Sequence, residues 1–241
     1  MIPSHWFRRI ILIVFIMEVA GGILWVTGRL STNPAAKPMT QALGSLIFLF
    51  GFYASAPLSA RFLAPRPSRD AALQERLARI VATVPDSRPV FLYDHADKEA
   101  NTVGLLPSHS RIYVTTGLLA SMSDEGMRGV IAHENAHVHE RHIFATFTYA
   151  CSFAVSSHLL DNNNFFFAAF LLFLGIRRYC EYRADAGAAQ SVGRGTMLTA
   201  LRELAVLYPS KSWVRWFSFA NAYPTLAMRM RAVETGRKAL L

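Results

Sequence analysis

The 241-residue chain contains 52% hydrophobic and 17% charged residues, a balance too apolar for a disordered chain and unusual for a purely soluble one. Lys and Arg number 25 against 16 Asp and Glu, so the net charge is +9. A basic and apolar composition favours a membrane protein, and no nucleic-acid recognition motif accompanies the positive charge. Two cysteines, Cys151 and Cys180, exclude a disulfide-rich scaffold, and neither belongs to a CxxC motif.

Two apolar runs near the N-terminus predict a pair of membrane-spanning helices. Residues 10–28 lie between Arg9 and Arg29 and contain one charged residue, Glu18. About 20 apolar residues span the bilayer core. A signal peptide is the alternative, but this run is too long for one and no convincing A-x-A cleavage site follows it. Residues 42–58 form the second run, so the sequence predicts a transmembrane helical hairpin.

The basic residues around this hairpin predict its orientation. Two of them, Arg29 and Lys37, lie in the loop between the runs, whereas five flank the hairpin. Basic residues concentrate on the cytoplasmic side of a membrane, so both ends of the hairpin are expected in the cytoplasm. The five flanking residues are Arg8, Arg9, Arg61, Arg66 and Arg69.

The central part of the chain has the pattern of a folded domain. A linker with two prolines at residues 64–69 precedes an amphipathic helix at residues 71–84. Residues 89–93 and 111–115 predict short strands. Ser123, followed by two acidic residues, predicts the start of a helix, because serine caps helix N-termini and acidic side chains favour the positive first turn.

Two further apolar runs, residues 143–160 and 165–176, are separated by the turn-forming sequence DNNN. The second run is short for a bilayer, because 12 helical residues extend only about 18 Å. The pair therefore predicts a second membrane hairpin, a partly inserted one, or a buried helical pair. The sequence leaves these three possibilities open.

The predicted helix after Ser123 contains the sequence HENAH, an HExxH motif, at residues 133–137. His133 and His137 are four residues apart, so both imidazoles lie on one helix face, where they can hold one Zn²⁺. Glu134 lies beside that position and can accept a proton from a metal-bound water. A surface histidine cluster is the weaker alternative. For His139 and His142, elsewhere on the helix, we expect contact with solvent or support of a ligand.

A catalytic zinc takes three protein ligands, and Glu181 is the best candidate for the third. Asp185 lies one turn further along the same helix face, where its carboxylate can accept the free ring N–H of a ligand histidine. An ordinary ion pair of Glu181 with Arg177 or Arg178 is the alternative. Alone, this ExxxD spacing is a weak signal, but its combination with HExxH across an apolar hairpin is a strong one.

These motifs resemble those of the HtpX-type membrane zinc metalloproteases, in the family that also holds the CAAX prenyl proteases. The resemblance covers most of residues 1–235 and follows the order of the elements. Besides the two metal motifs, it rests on Ala100-Asn101, on residues 111–119 and on the sequence ALREL at residues 200–204.

The resemblance implies a mainly α, α+β fold. A transmembrane hairpin at residues 1–62 would precede a zincin-like peptidase domain with a small sheet. That domain would have a first part at residues 63–142 and a second part at residues 177–241. A hydrophobic hairpin at residues 143–176 would separate the two parts.

The resemblance also implies roles for individual residues. His133, His137 and Glu181 would bind one Zn²⁺ per chain, Glu134 would be the general base, and Asp185 and Asn101 would support the ligands. An edge strand would pair with an extended substrate, since backbone pairing binds a peptide without demanding a particular sequence. That strand comprises Arg111, Ile112, Tyr113, Val114 and Thr115.

The C-terminal segment departs from the family pattern. The family usually has a histidine just before a proline and then an arginine, whereas this chain has Tyr223, Pro224 and Arg229 at the matching positions. Tyr223 and Arg229 would then stabilise the oxyanion of the reaction. Reduced or altered activity is the alternative.

The sequence therefore predicts a zinc-dependent endopeptidase of the bacterial inner membrane, multi-pass, with its active site facing the cytoplasm. The resemblance implies membrane or misfolded proteins as substrates, in protein quality control or a stress response. The expected partners are polypeptides and the lipid bilayer, without nucleic acid. Two alternatives stay open, a zinc-binding membrane scaffold with weak or no activity and a sensor protease that cuts one regulatory partner.

Overall fold

The structure is a computed structural model that describes residues 15–24, 26, 36–62, 66–160, 163–209 and 223–236. These residues fall into two compact units. The apolar-helix unit lies within Met1–Ala64 and Phe144–Leu172, and the mixed unit lies within Pro65–Ile143 and Phe173–Leu241. The finer division into four segments remains a prediction.

Within the described ranges the chain is mostly helical and has one small sheet, as predicted. The strands are β1 (Val90–Tyr93), β2 (Ala100–Val103) and β3 (Arg111–Thr115). The helices are α1 (Phe15–Leu24), α2 (Ala36–Phe62), α3 (Ala71–Ala82), α4 (Thr116–Ser121), α5 (Asp124–His139), α6 (His142–Leu160), α7 (Asn163–Val192), α8 (Arg194–Leu207) and α9 (Leu226–Thr235).

In the apolar-helix unit, α6 packs against the first part of α7, since the Tyr149 hydroxyl donates a hydrogen bond to the Ala169 carbonyl. Of the helices whose residues are described throughout, α6 is the one long and apolar enough to cross a membrane. The predicted run 42–58 lies inside α2, whereas parts of the run 10–28 lie outside the described residues. The transmembrane hairpin therefore stays a prediction.

The sheet of the mixed unit has the order β1-β3-β2, with β1 parallel and β2 antiparallel to β3. The central strand is thus β3, and the prediction that residues 111–115 form a substrate-binding edge is wrong. Ile112 and Val114 are buried on one face of β3 and Tyr113 on the other, as expected for a central strand covered on both faces. Within the described residues, β2 pairs on one side only, so its other side is an open edge.

Helix α5 begins as predicted, because the Ser123 side chain accepts a hydrogen bond of 3.0 Å from the Gly126 amide. Its neighbour α8 approaches closely at Gly129, where an added Cβ would lie 2.7 Å from the Cβ of Ala200. The apolar side of α5 enters the main core of this unit. The opposite side therefore holds its histidines at a fixed position relative to the sheet.

The predicted run 165–176 and the predicted helix after it form one continuous helix, α7, of 30 residues. Its first third, residues 163–172, belongs to the apolar-helix unit, and the rest carries Glu181 and Asp185 in the mixed unit. No proline or turn sequence interrupts it, so the helix continues where the sequence changes from apolar to charged.

Candidate metal centre

Three side chains from α5 and α7 converge on one point. His133, His137 and Glu181 each offer a ligand atom, and these atoms all lie within 4.8 Å of one another. The two Nε2 atoms are 3.1 Å apart, and the Glu181 carboxylate oxygens lie 3.5 Å from His133 Nε2 and 3.7 Å from His137 Nε2. Two imidazoles and one carboxylate are a donor set that suits a zinc ion with an open fourth position.

Asp185 contacts His133 on the side of the imidazole ring that faces away from Glu181. Its Oδ1 atom lies 2.9 Å from His133 Nδ1, while His133 Nε2 faces Glu181. With Nδ1 donating its proton to Asp185, Nε2 keeps a lone pair directed at the convergence point. Asp185 is only 1% exposed, so this contact lies inside the protein.

Arg229 reaches the same carboxylates from α9. Its Nε and Nη2 atoms donate hydrogen bonds of 2.8 and 2.6 Å to Asp185, and its Nη1 atom lies 3.3 Å from Glu181 Oε2. The family resemblance implies that Arg229 stabilises an oxyanion. Its guanidinium is instead buried between two carboxylates, so in this arrangement it positions Asp185 and Glu181.

Glu134 lies outside the converging group and is held from the sheet. The Thr102 hydroxyl lies 2.7 Å from Glu134 Oε2 and 3.0 Å from its backbone carbonyl. No sequence pattern points to Thr102, whereas the family resemblance implies a supporting role for its neighbour Asn101. Because successive side chains of a strand point to opposite faces, Thr102 faces α5 and Asn101, which is exposed, faces away from it.

A second chain of contacts supports His137. His142 Nδ1 lies 3.0 Å from His137 Nδ1, and His142 Nε2 lies 3.3 Å from Glu140 Oε2. Arg183 in turn donates to the same Glu140 oxygen at 2.8 Å. His142 thus has the supporting contact considered for it, whereas His139 is exposed and lies 3.3 Å from the carbonyl oxygen of Asp86. Sequence spacing gave no signal for Glu140 or Arg183.

Tyr223, at the position of the family's histidine, contacts Arg177 on α7. The Arg177 guanidinium carbon lies 4.7 Å from the centre of the Tyr223 ring, and Arg177 Nη2 donates a hydrogen bond to the Tyr223 hydroxyl. Tyr223 is 49% exposed, unlike the side chains of His133, His137 and Glu181. Because Arg177 lies one turn before Glu181, Tyr223 lies at the border of the centre rather than inside it.

Burial and charge shift the pKa values of the acidic groups in this centre. Burial raises the pKa of the Glu134 carboxyl above its ordinary value. Burial alone would also raise the pKa of Asp185, but the Arg229 guanidinium outweighs it and lowers this pKa to about 2. For Glu181, burial is outweighed by His133 and Arg229, so its pKa is lowered as well. Two carboxylates that stay ionised beside the imidazoles attract a cation.

Comparison with protein families identifies the chain. The model of peptidase family M48 matches residues 67–236, which contain every residue of the centre described above. The chain belongs to peptidase family M48. It is therefore a metallopeptidase, as the sequence predicted, and the His133, His137 and Glu181 group is its potential metal site.

Individual M48-type proteins agree with this assignment. The chain is 28% identical over 228 residues to Protease HtpX of Glaesserella parasuis, which covers 78% of this chain and 81% of that protein. It is 30% identical over 182 residues to a Protease HtpX homolog of Burkholderia thailandensis, covering 64% and 62%. The resemblance to HtpX-type proteases is thus confirmed.

A solved structure shares the fold. The crystal structure of S. mikatae Ste24p superposes with a TM-score of 0.63 at 17% sequence identity. The match covers 96% of the 241-residue chain and 66% of the Ste24p chain. The 241-residue chain therefore spans about two thirds of the length of Ste24p. At this identity the match shows a common fold and nothing about substrate.

Proposed function

We propose that the chain is a zinc-dependent integral-membrane endopeptidase that hydrolyses internal peptide bonds of membrane or misfolded proteins. The observation that carries this proposal is the convergence of His133, His137 and Glu181 within 4.8 Å, with Glu134 next to His133 on the same helix. A binding scaffold would need the three ligands alone. The half-buried carboxylate of Glu134, fixed by a hydroxyl, is an additional feature that hydrolysis requires.

His133, His137 and Glu181 would hold the zinc ion through two nitrogen atoms and one carboxylate. Bound there, zinc supplies Lewis acidity and lowers the pKa of a coordinated water toward neutrality. Glu134 would act as the general base. Because Thr102 occupies Glu134 Oε2, the Oε1 atom is left to accept a proton and to pass it to the leaving amine.

The open edge of β2 would bind the substrate backbone. Thr115 N donates to Glu99 O, and in an antiparallel pair the hydrogen-bonded positions alternate along the strand. The amide and carbonyl groups of Ala100 and Thr102 therefore point away from β3, toward the open edge. An extended peptide on this edge would add a strand beside the residue that holds Glu134.

Tyr223 would donate a hydrogen bond to the oxyanion, because a phenol hydroxyl is a donor as well as an acceptor. Arg229 would act indirectly, through the carboxylates of Asp185 and Glu181. Activity would be reduced if the Tyr223 hydroxyl did not reach the oxyanion of the substrate.

The apolar helix α6 and the positive flanks of the N-terminal hairpin support a membrane location. We place the protein in the bacterial inner membrane, as a multi-pass protein whose centre faces the cytoplasm. Quality control of membrane proteins, as part of a stress response, would suit an enzyme that recognises backbone rather than sequence.

The test compares the wild type with two variants, all purified in detergent and supplied with zinc. Casein, an unfolded protein, serves as substrate, and the zinc content of each sample is measured by mass spectrometry. Glu134→Gln should keep zinc and lose cleavage, whereas His133→Ala should lose both. Cleavage of casein by Glu134→Gln at the wild-type rate would refute the assignment of the base. Zinc binding without cleavage by the wild type would favour a scaffold.

A further inference from the structure

The side chain of Arg177 carries a charge that the proposed catalytic machinery does not use. Among the described residues, no carboxylate oxygen lies within 4.0 Å of its guanidinium. Two other arginines near the centre contact carboxylates, since Arg229 binds Asp185 and Arg183 binds Glu140. An arginine whose charge stays unmatched at the border of a catalytic centre is available for a negatively charged ligand.

Tyr223 fixes the orientation of this guanidinium. The ring and hydroxyl of Tyr223 both contact Arg177, through a cation–π approach of 4.7 Å and a hydrogen bond from Nη2. A guanidinium has five N–H donors, and the described contacts use only one of them. Because the planar group is already held, less side-chain freedom is lost when a further acceptor binds.

The position of the pair relates it to the proposed reaction. Arg177 and Glu181 are four residues apart on α7, so their side chains are neighbours on one helix face. Tyr223 lies two residues before Thr225, which caps α9, and α9 carries the Arg229 that contacts Glu181. The elements that hold the metal group therefore also hold the Arg177–Tyr223 pair at its border.

We propose that Arg177 is a specificity-determining residue, which binds a carboxylate of the peptide substrate within a few residues of the scissile bond. This inference rests on the proposed endopeptidase function. The guanidinium fork matches a carboxylate with two parallel N–H···O bonds, whereas a neutral amide accepts only one. The carboxylate belongs to an acidic side chain, and a C-terminal carboxylate is the other source of the same chemistry.

The experiment uses internally quenched peptides derived from one casein site that the wild type cleaves. At each of the three positions on either side of the scissile bond, Glu, Gln and Lys are compared, with both ends of the peptide blocked. The ratio of kcat/KM for Glu and Gln peptides is measured for the wild type, Arg177→Gln and Arg177→Lys. An unblocked peptide that ends one or two residues after the scissile bond tests the C-terminal source.

At one position the wild type should prefer Glu over Gln about tenfold or more, the effect of one charge-assisted contact. In Arg177→Gln this ratio should fall to about 1, and in Arg177→Lys it should be intermediate. The control is Arg79→Gln, which removes the same charge from an exposed ion pair on α3 and should keep the wild-type ratio. A preference seen only with the unblocked peptide would identify the C-terminal carboxylate as the ligand.

Two results would overturn the inference and are distinct from failure of the proposed function. One is cleavage by the wild type with no preference for Glu at any position. The other is a preference that survives unchanged in Arg177→Gln. Absence of all cleavage would refute the endopeptidase proposal itself. In that case, binding of a fluorescently labelled Glu peptide is measured by anisotropy on two proteins, Glu134→Gln and the double variant with Arg177→Gln. Weaker binding to the double variant would show that the carboxylate site exists, and equal binding would refute it.

Discussion

Arg229 and Asp185 form a two-pronged ion pair, with hydrogen bonds of 2.8 and 2.6 Å between α9 and α7. Asp185 is 1% exposed, and its Oδ1 atom also lies 2.9 Å from Nδ1 of His133. The last described helix of the chain is therefore connected to a proposed metal ligand through one buried carboxylate. A change in this pair acts on metal binding and on folding together.

The first prediction concerns Asp185→Asn, which keeps the shape of the side chain and removes its charge. Arg229 would then be a buried cation with Glu181 as its remaining carboxylate contact, so the free energy of unfolding should fall by about 3 kcal/mol. Zinc affinity should fall about 10–100-fold, because the acceptor for His133 is weakened. Thermal unfolding in detergent and competition with a chromogenic chelator measure the two effects.

The control for this change is Glu234→Gln, in the exposed pair that Arg202 and Glu234 form at 3.9 Å between α8 and α9. Exposed ion pairs contribute little, so both quantities should stay close to those of the wild type. An Asp185→Asn protein with wild-type zinc affinity would show that the carboxylate does not support His133.

The second prediction tests the proposed base, Glu134, independently of metal binding. Thr102→Val removes the hydroxyl that lies 2.7 Å from Glu134 Oε2 and keeps the size and branching of the side chain. The carboxylate would lose its fixed orientation, so kcat for casein-derived peptides should fall about tenfold or more while zinc content is unchanged. Thr102→Ser, which keeps the hydroxyl, should retain most of the activity. If Thr102→Val and Thr102→Ser cleave at equal rates, the Thr102 hydroxyl does not orient Glu134.

The third prediction concerns the contact of His142 with His137, at 3.0 Å between the Nδ1 atoms. His142→Ala leaves the outer nitrogen of His137 without this partner, so zinc affinity should fall about tenfold or more. His139→Ala removes a nearby histidine that is exposed and far less constrained, and it should change affinity little. If the two variants bind zinc equally well in chelator competition, His142 does not orient the ligand.

These residues also show what the sequence can predict. His133, Glu134 and His137 share one helix, and Glu181 and Asp185 share another, so fixed helical spacing places each set before any tertiary structure is known. Thr102 approaches Glu134 only because β2 lies beside α5, a long-range relationship that spacing does not encode. The same holds for β3, whose apolar residues fit an edge or a central strand until its two partners are known.

The last prediction tests the packing that positions α5. An added Cβ at Gly129 would lie 2.7 Å from Ala200 Cβ and 2.9 Å from the Thr196 carbonyl oxygen. Gly129→Ala must push α5 away from α8, so we expect a loss of about 1–3 kcal/mol in the free energy of unfolding. Because His133 lies one turn further along α5, zinc affinity should fall with it.

Gly195→Ala is the matched control, since it lies in α8 and a Cβ there meets no atom within 4 Å. This substitution should leave stability unchanged or raise it by up to about 1 kcal/mol, because alanine favours the helix more than glycine does. Unfolding midpoints measured in detergent compare the two proteins directly. Equal midpoints would mean that α5 and α8 can separate without cost, and that their contact does not fix the position of the histidines.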